Sequence, residues 1–354
     1  MSDLAFSKWA SAPPSWITTP SEDLNGIVLS SRARLARNLN GIPFPHNAPA
    51  KVQNHVLNDI FKAAGSIPEL KSSHQFVLSD LEPIQKNFLM ERHLISHEHA
   101  RQVGEKGLIV SAGETVSIMI NEEDHIRAAC FEGGLAVAKA WGVLSAAENH
   151  LAKHLPFAFD REFGYITACP TNTGSGLRAS SLMHLPALTA LNRMAELSDE
   201  CGRQGLVLRG FYGEGTQPLG HIFQVSNANT LSLTEENTVK RVGKFVQSIA
   251  GEEKKAQEVL FSPKFRMQTE DNISRSLGTL QSARLLNLSE GMSHVSNVRL
   301  GILLGMRIGV ALDVVTNLIF LIQPAHVRLR AGDDGRNKPD EDLRAAFVRE
   351  KMKR

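Results

Sequence analysis

The chain has 354 residues, 42% of them hydrophobic and 21% charged, so it can bury a substantial core, and its length suggests about two domains. Its 39 basic and 37 acidic residues leave a net charge of +2, which excludes a global field that would attract nucleic acid. The three cysteines form no paired motif and the first residues show no secretory pattern. Both features predict a reducing, cytoplasmic setting.

Strand and helix patterns alternate along most of the chain. Strand-like runs are expected at 27–31, 108–111, 115–120, 163–168, 206–211 and 220–225. Helical patterns are expected near 50–63, 86–103, 125–141, 177–200 and 234–250, and the pattern is helical from about residue 252 onward. Strands separated by long connections indicate the α+β class. The change of pattern predicts two domains, 1–252 and 253–354.

One apolar run, "LGILLGMRIGVALDVVTNLIFLIQP" at 300–324, has the length of a membrane span. It carries Arg307, Asp313 and Asn317 through its middle. A charge at the centre of a bilayer costs about 2.5–3.5 kcal/mol even on the most permissive scale. The run therefore predicts a buried helix, part of it at a subunit interface, and no membrane partner.

The stretch "VLSSRARLARN", residues 28–38, places two arginines on one face of an expected strand. Side chains at i and i+2 of a strand point the same way, so Arg32 and Arg34 lie side by side. Two adjacent guanidinium groups repel each other unless an anion lies between them. A solvated surface pair is the common alternative.

Three further polar clusters follow apolar strands, where active-site residues often emerge. They are "NEEDHIR" at 121–127, "CPTNTGSGLRAS" at 169–180 and "RGFYGEG" at 209–215. Taken singly, each has an ordinary explanation: exposed turns for the acids, a buried thiol for Cys169. "TNTGSG" lacks the lysine and spacing of a phosphate loop. The acids lack the spacing of a zinc site, so no metal ligand is predicted.

Taken together, the four motifs resemble those of the guanidino kinase family, which includes arginine and creatine kinases. They occur in the family's order over residues 28 to about 230. The resemblance implies a catalytic domain with a central, mostly antiparallel sheet flanked by helices, followed by a helical C-terminal domain. It also implies ATP and Mg²⁺, with the metal held mostly by phosphates and water.

The resemblance assigns roles to individual residues. Arginines at five positions clamp the phosphates of ATP, and a histidine with a shorter match contacts the adenine: Arg32, Arg34, Arg127, Arg178, Arg209 and His93. Glu123 and Glu214 bind and orient the guanidinium of the acceptor. Cys169 lies beside that guanidinium.

The wording "SSRARLARN" and "CPTNTGSGLRAS", together with a helical C-terminal region, resembles the bacterial protein arginine kinases within this family. The first arginine motif begins at residue 30, so the enclosing N-terminal domain of the small-molecule enzymes is expected to be absent. This branch implies phosphorylation of arginine side chains in proteins, a link to protein quality control and a homodimer formed by the C-terminal helices. It further implies a zinc-binding activator protein and an AAA+ unfoldase with its protease.

The chain departs from this branch near its C-terminus. The branch carries an "RDxxRA" motif that binds phosphoarginine allosterically, whereas residues 340–345 read "DEDLRA". Arg344 is kept, Asp340 replaces the first arginine and Glu341 replaces the aspartate. Glu341 and Arg344 are therefore the candidates for a phosphoarginine site, and a solvated terminal helix is the alternative. Two other functions stay open: a kinase of a small free guanidine, and a non-catalytic phosphoarginine-binding protein.

Overall fold

The computed structural model describes residues 3–18, 26–101, 103–212, 218–231, 233–335 and 337–353. The first part of the chain forms, in order, α1 (Asp3–Ala10), α2 (Ser15–Thr18), β1 (Val28–Arg37), α3 (Ala50–Ala64), β2 (His74–Val77), α4 (Pro83–Glu91), α5 (His97–Arg101), β3 (Gly107–Val110), β4 (Val116–Ile120), β5 (Ile126–Gly133) and α6 (Val137–Ala152). The middle part forms β6 (Phe159–Asp160), β7 (Gly164–Tyr165), β8 (Leu177–His184), α7 (Pro186–Ala190), α8 (Met194–Arg203), β9 (Leu206–Gly210) and β10 (Ile222–Asn227). The last part forms α9 (Glu235–Leu260), α10 (Arg266–Ser282), α11 (Leu288–Leu303), α12 (Leu312–Leu321), α13 (Pro324–Ala331) and α14 (Asp340–Lys351).

Eight of these described strands form one sheet in the order β2-β3-β4-β5-β1-β8-β10-β9, and each neighbouring pair is antiparallel. The strand β1 pairs along its length with both β5 and β8, so the "SSRARLAR" segment lies at the centre of the sheet. The predicted α+β class with a mainly antiparallel sheet and a helical C-terminal part is confirmed.

Two expected helices begin as strands, and one expected strand is almost absent. The segments 125–141 and 177–200 open with β5 and β8, and their helices start only at Val137 and Pro186. Both strands carry small residues at their centres, Ala and Cys in β5 and Ala and Ser in β8, and are buried on both faces, so they lack the alternation that marks a half-exposed strand. The run 163–168 contributes only β7, which pairs with β6 outside the main sheet.

The two faces of the sheet pack against different helices. The face that carries Ala33 and Leu35 is covered by apolar residues of α3, α6 and α9. The other face packs, at one end, against α1, α2, α4 and the helices α10 to α14, with Trp16 and Phe320 among the buried rings. The rest of this second face is lined by polar side chains. This polar region, between the sheet and α4, is the candidate site.

The predicted boundary at residue 252 falls inside α9, and the division into two domains stays a prediction. The apolar run 300–324 is broken into α11 and α12 at Gly305 and Gly309, which both adopt positive φ values near 80°. Much of its apolar surface, including Phe320, is buried within the chain itself. Among the described helices, none is both long and apolar enough to cross a membrane.

Arg299 of α11 ties the C-terminal helices to the sheet. The residue is 2% exposed, and its guanidinium donates from Nε to Thr316 Oγ1 at 3.0 Å, from Nη1 to His184 Nδ1 at 2.8 Å, and to the carbonyl oxygen of Gly26. His184 Nδ1 must therefore be the accepting nitrogen, and Nε2 donates to Ser296 Oγ at 2.7 Å. Burial and the Arg299 charge lower the pKa of His184 well below its usual range, in keeping with a neutral imidazole.

Candidate active site

The five predicted arginines lie on one face of the main sheet. Directly opposed residues of antiparallel strands share a face. Arg34 of β1 is opposite Arg178 of β8, and Arg127 of β5 is opposite Ala36, two residues along β1 from Arg34. Arg209 of β9 is opposite Gln224, which is opposite Leu182 in the same row of β8 as Arg178. The strand register thus brings together arginines from four separate strands.

These arginines line a cavity of about 370 Å³, called here the arginine cavity. Burial and the charges of Arg127 and Arg178 lower the pKa of Arg32 to about 10. Burial and the charges of Arg127, Arg32 and Arg178 lower the pKa of Arg34 well below 12.5. Arg32 Nη2 donates to the neutral amide oxygen of Gln224 at 2.9 Å. The cavity therefore concentrates positive charge at a place where a bound anion would relieve the repulsion.

Glu122 is a site residue that the sequence did not single out. Arg127 Nη1 lies 2.5 Å from both carboxylate oxygens of Glu122, and the Ser96 hydroxyl donates to Oε1. Burial alone would raise the pKa of Glu122, but Arg127 and Ser96 bring it down to about 2. Because Glu122 and Glu123 are adjacent acids in one turn, the sequence alone does not indicate which of them faces Arg127.

Glu123 and Cys169 line a second cavity of about 400 Å³, called here the acceptor cavity, together with Glu122. Both glutamates also line the arginine cavity, so the two cavities meet there. Glu123 Oε1 accepts from Asn172 Nδ2 at 3.2 Å, and burial together with Asp124 raises the pKa of Glu123. Cys169 is a half-buried free thiol whose Sγ lies 3.0 Å from Thr171 Oγ1.

The remaining acid and histidine of "NEEDHIR" have structural roles. Asp124 Oδ1 accepts from Asn38 Nδ2 at 2.6 Å and from the Ala168 N–H at 2.7 Å, which ties the Cys169 loop to the end of β1. His125 Nδ1 accepts from the Leu39 N–H at 3.1 Å, so its Nε2 donates to the Pro43 carbonyl oxygen at 3.0 Å. These contacts make His125 an ordinary hydrogen-bonded residue of the fold.

His93 lies on the wall of the arginine cavity. Its ring contacts Phe211 at 5.0 Å and Tyr212 at 5.7 Å between ring centroids. Burial, with smaller effects from Arg32 and His97, lowers the pKa of His93 to about 3, so the imidazole is neutral. Its buried Nε2 has no hydrogen-bond partner in the described part of the chain. A neutral nitrogen held in this way can pair with a polar ligand.

Two predicted sites remain to be placed. Glu214 lies outside the described residues. Arg344, predicted for phosphoarginine binding, is 2% exposed; its Nε donates to the Ile322 carbonyl oxygen at 2.7 Å and its Nη1 to the Leu286 carbonyl oxygen at 2.9 Å. Glu341 is exposed at the start of α14.

In the described residues, no group of three His, Cys, Asp or Glu side chains is arranged to hold a metal ion.

The geometry defines a phosphotransferase of the guanidino type, and comparison with known families agrees. Residues 55–256 match the family described as "ATP:guanido phosphotransferase, C-terminal catalytic domain", and this chain belongs to that family. Residues 266–354 match the family described as "Protein-arginine kinase McsB C-terminal domain".

Curated relatives resemble the chain over nearly its whole length. A protein named "Protein-arginine kinase" from Moorella thermoacetica is 39% identical over 330 residues, which cover 92% of this chain and 93% of the relative. Another of the same name from Geobacillus sp. (strain WCH70) is 38% identical over 354 residues, covering 99% of this chain and 97% of the relative.

Solved structures share the fold. The duplicated taurocyamine kinase from Schistosoma mansoni, with bound transition state analog components, has a TM-score of 0.61 at 23% identity and covers 79% of this chain and 44% of that one. Lombricine kinase has a TM-score of 0.58 at 26% identity, covering 66% of this chain and 71% of that one.

Proposed function

We propose that this protein transfers the γ-phosphoryl group of ATP to arginine side chains of proteins. The observation that carries the proposal is the junction of the arginine cavity with the acceptor cavity at Glu122 and Glu123. One compartment suits a polyphosphate and the other suits a guanidinium. Relatives that align with both the catalytic and the C-terminal regions bear the name "Protein-arginine kinase", which supports a protein as the acceptor.

The arginines bind the nucleotide in this proposal. A guanidinium is planar, stays charged and binds phosphate oxygens through two parallel hydrogen bonds. Each such charge-assisted contact contributes about 1.5–3 kcal/mol. The phosphoryl group passes through a loose transition state, so catalysis depends on positioning and on stabilising charge, and Arg32, Arg34, Arg178 and Arg209 supply both. Arg127 enters the reaction already oriented by Glu122.

Glu123 orients the acceptor and receives its proton late. A guanidinium with a pKa above about 12 is neutral less than about 10⁻⁵ of the time at pH 7, at a cost near 7 kcal/mol. A general base contributes about 10²–10⁴-fold, or about 3–5.5 kcal/mol, which does not cover that cost. The N–P bond therefore forms as the bond from phosphorus to the β-phosphate oxygen breaks, and the proton then leaves the attacking nitrogen. Glu123 and Glu214 hold that nitrogen in line with the phosphorus.

Cys169 adds a third contact to the acceptor guanidinium. Its half-buried thiol lines the acceptor cavity beside Glu123. In this proposal its sulfur contacts the guanidinium beside the carboxylate of Glu123. This role needs a free thiol, so we place the reaction in the cytoplasm, where thiols stay reduced.

Mg²⁺ belongs to the nucleotide in this proposal. The carboxylate of Glu122 is engaged by Arg127, and Glu123 faces the acceptor cavity. Neither is set aside for a cation, so phosphate oxygens and water supply most of the ligands, as is common for this ion. The metal neutralises phosphate charge, and the arginines of this chain bind the oxygens that remain.

The proposal extends to partners. We propose that the C-terminal helices form a homodimer, that a zinc-binding activator assists the enzyme, and that phosphoarginine directs substrates to an AAA+ unfoldase and its protease in protein quality control. We also propose that Glu341 and Arg344 contribute to phosphoarginine binding. Arg344 would first have to release the carbonyl oxygens of Ile322 and Leu286.

The test is incubation of the purified protein with MgATP and a mixture of unfolded proteins, followed by mass spectrometry at non-acidic pH, which preserves the N–P bond. We expect phosphoarginine with the wild type and with Glu258→Gln, an exposed control, and its near absence with Glu123→Gln. Phosphorylation of free arginine with protein arginines untouched would establish the small-guanidine kinase. Phosphoarginine binding without any transfer would establish the non-catalytic alternative.

A further inference from the structure

Tyr212 lies two residues after the end of β9, in the partition between two cavities. One is the arginine cavity. The other, called here the α13 groove, has a volume of about 420 Å³ and lies between α4 and the N-terminus of α13, lined by Asn87, Glu91, Gln323, Arg328 and Asp340 among others. Met90, His97 and Tyr212 line both cavities. The site of chemistry is thus separated from the C-terminal helices by few side chains.

The Tyr212 hydroxyl is anchored on the C-terminal helices. It donates to Gln323 Oε1 at 2.5 Å, and Gln323 is the residue immediately before the first turn of α13. Gln323 Nε2 donates to the Ile319 carbonyl oxygen at 2.9 Å, which leaves the amide oxygen as the acceptor for Tyr212. Burial raises the pKa of Tyr212 well above 10, so the phenol keeps its proton and remains a donor.

Glu91 makes a second connection to the same helix end. Its Oε1 accepts from the Ala325 N–H at 2.7 Å, and its Oε2 accepts from the His326 N–H at 3.1 Å and lies 2.7 Å from His326 Nδ1. Burial raises the pKa of Glu91 to about 8, and the two N–H groups at the helix N-terminus oppose that shift by favouring the ionised form. Because Glu91 is the last residue of α4, this contact fixes the point at which α4 ends.

His93 follows that point in a conformation that few side chains adopt. Its φ is +59°, and the Leu94 N–H donates to the Leu89 carbonyl oxygen at 2.9 Å. This is the pattern of a helix end at which glycine is the usual residue. A histidine in left-handed backbone costs about 1 kcal/mol or more. The strain is maintained because α4 is held by Glu91 on one side and the imidazole packs on Tyr212 on the other.

We propose that Tyr212 is a positioning residue for the kinase reaction, through which the N-terminus of α13 sets the place of His93 in the nucleotide site. Tyr212 does not touch the reacting atoms. It holds His93 in place and forms part of the partition between the two cavities. Without the hydroxyl contact, the Tyr212 ring is free to move toward the α13 groove, and His93 loses one of the rings that pack against it, while Phe211 stays in place. The inference rests on the proposed function for the identity of the ligand.

The chain offers a matched test because it has two tyrosines. Tyr212→Phe removes only the hydroxyl that reaches Gln323. Tyr165→Phe removes a half-buried hydroxyl on the β6–β7 hairpin, away from the α13 groove. The probe is MgADP, with affinity measured by calorimetric titration on the full chain. We expect Tyr212→Phe to weaken binding by about 2- to 10-fold, the size of one neutral hydrogen bond, and Tyr165→Phe to leave binding unchanged.

A double-mutant cycle with Gln323→Met tests whether the effect of Tyr212 on the nucleotide site depends on its hydrogen bond to Gln323. If the hydroxyl acts through α13, Tyr212→Phe has no further effect on MgADP affinity once Gln323 is Met. Full additivity of the two variants, or wild-type affinity in Tyr212→Phe with only a lower melting temperature, would overturn the inference and leave the proposed function standing. A wild-type protein that binds no MgADP would overturn both.

Discussion

Two sets of buried or half-buried arginines in this protein differ in what their guanidinium groups face. The first set, the site arginines, faces the arginine cavity and consists of Arg32, Arg34, Arg127, Arg178 and Arg209. The second set, the structural arginines, lies within packed contacts and consists of Arg37, Arg92, Arg299 and Arg344. Both sets are removed from bulk water, so residue type and burial alone do not tell a site from a core.

The structural arginines are directed at acceptors that the fold itself supplies. Arg37 lies 2.6 Å from Glu148 Oε1, donates to the Ser175 carbonyl oxygen and stacks 3.3 Å from the Tyr165 ring centroid. Arg299 and Arg344 donate mainly to backbone carbonyl oxygens and neutral side chains. Each of these side chains connects segments that are distant in the sequence.

The site arginines instead lie together on one face of the sheet, four of them on the adjacent strands β5, β1 and β8. The pKa of Arg34 is lowered by burial and by three neighbouring arginines, with Glu122 as a smaller opposing influence. A fold that keeps like charges this close gives up stability when it is empty, and that cost is offset when an anion binds. Buried arginines that lower one another's pKa therefore indicate a ligand, whereas those hydrogen-bonded to carbonyl oxygens indicate architecture.

The largest expected effect is on turnover. Glu123→Gln should lower kcat by about 10²–10⁴-fold, or about 3–5.5 kcal/mol, because the amide neither accepts the proton nor balances the guanidinium charge. MgADP affinity should stay close to that of the wild type, since the arginines are untouched. Steady-state kinetics with an unfolded protein substrate measures this. Wild-type kcat would remove Glu123 from the mechanism.

Next in size is the loss of a structural arginine. Arg299→Met should lower the free energy of unfolding by about 3 kcal/mol or more, because three buried acceptors lose their donor and each costs about 1–3 kcal/mol. Urea unfolding is the measurement. Arg307→Met, at an exposed position, is the control and should change stability by less than about 0.5 kcal/mol. Equal stability of the two variants would refute the structural role.

Glu122 shares a feature of both sets of arginines. It lies in the site, yet it forms a buried ion pair with Arg127, as Glu148 does with the structural arginine Arg37. Its folded pKa of about 2 lies below the ordinary 4.5, so its ionised form stabilises the fold above pH 4.5 by about 3 kcal/mol. That contribution is lost as the pH falls from about 4.5 through about 2. The difference in unfolding free energy between the wild type and Glu122→Gln should shrink accordingly between pH 7 and pH 3. A difference that is independent of pH would contradict the ion pair.

The smallest expected effect concerns His93. Asparagine tolerates left-handed backbone, so His93→Asn should change apo stability by about 1 kcal/mol or less. The variant loses the neutral imidazole beside the arginines, and MgADP affinity should fall about 2- to 10-fold. His55→Asn, at an exposed position in α3, is the control. Unchanged affinity in His93→Asn would remove the histidine from the nucleotide site.

The motifs predicted the family and the five arginines, and strand geometry explains why. The period of two residues along a strand is enough to place Arg32 and Arg34 on one face, whichever strands pair with β1. The segments with Arg127 and Arg178 were expected to be helical, yet both residues lie in strands. Their grouping depends on the register of β1 with β5 and β8, which arises from pairing between segments far apart in the chain.

Contacts between the sheet and the C-terminal helices could not be predicted from the sequence. The pairing of Tyr212 with Gln323 spans more than a hundred positions, and neither residue stands out by type or spacing. The choice between Glu122 and Glu123 depends on the turn after β4, where Asn121 has a positive φ of 56°. Local patterns do not encode such tertiary choices.

The central claim is that the site arginines are arranged around an anion, and thermal unfolding of Arg34→Ala with and without MgADP tests it most directly. Without nucleotide, relief of repulsion should leave the melting temperature equal to or above that of the wild type. With nucleotide, loss of one charge-assisted contact weakens binding by about 10- to 150-fold, so the variant should gain less from the ligand and melt below the wild type. A variant that melts far below the wild type without nucleotide, as expected for Arg299→Met, would contradict the claim.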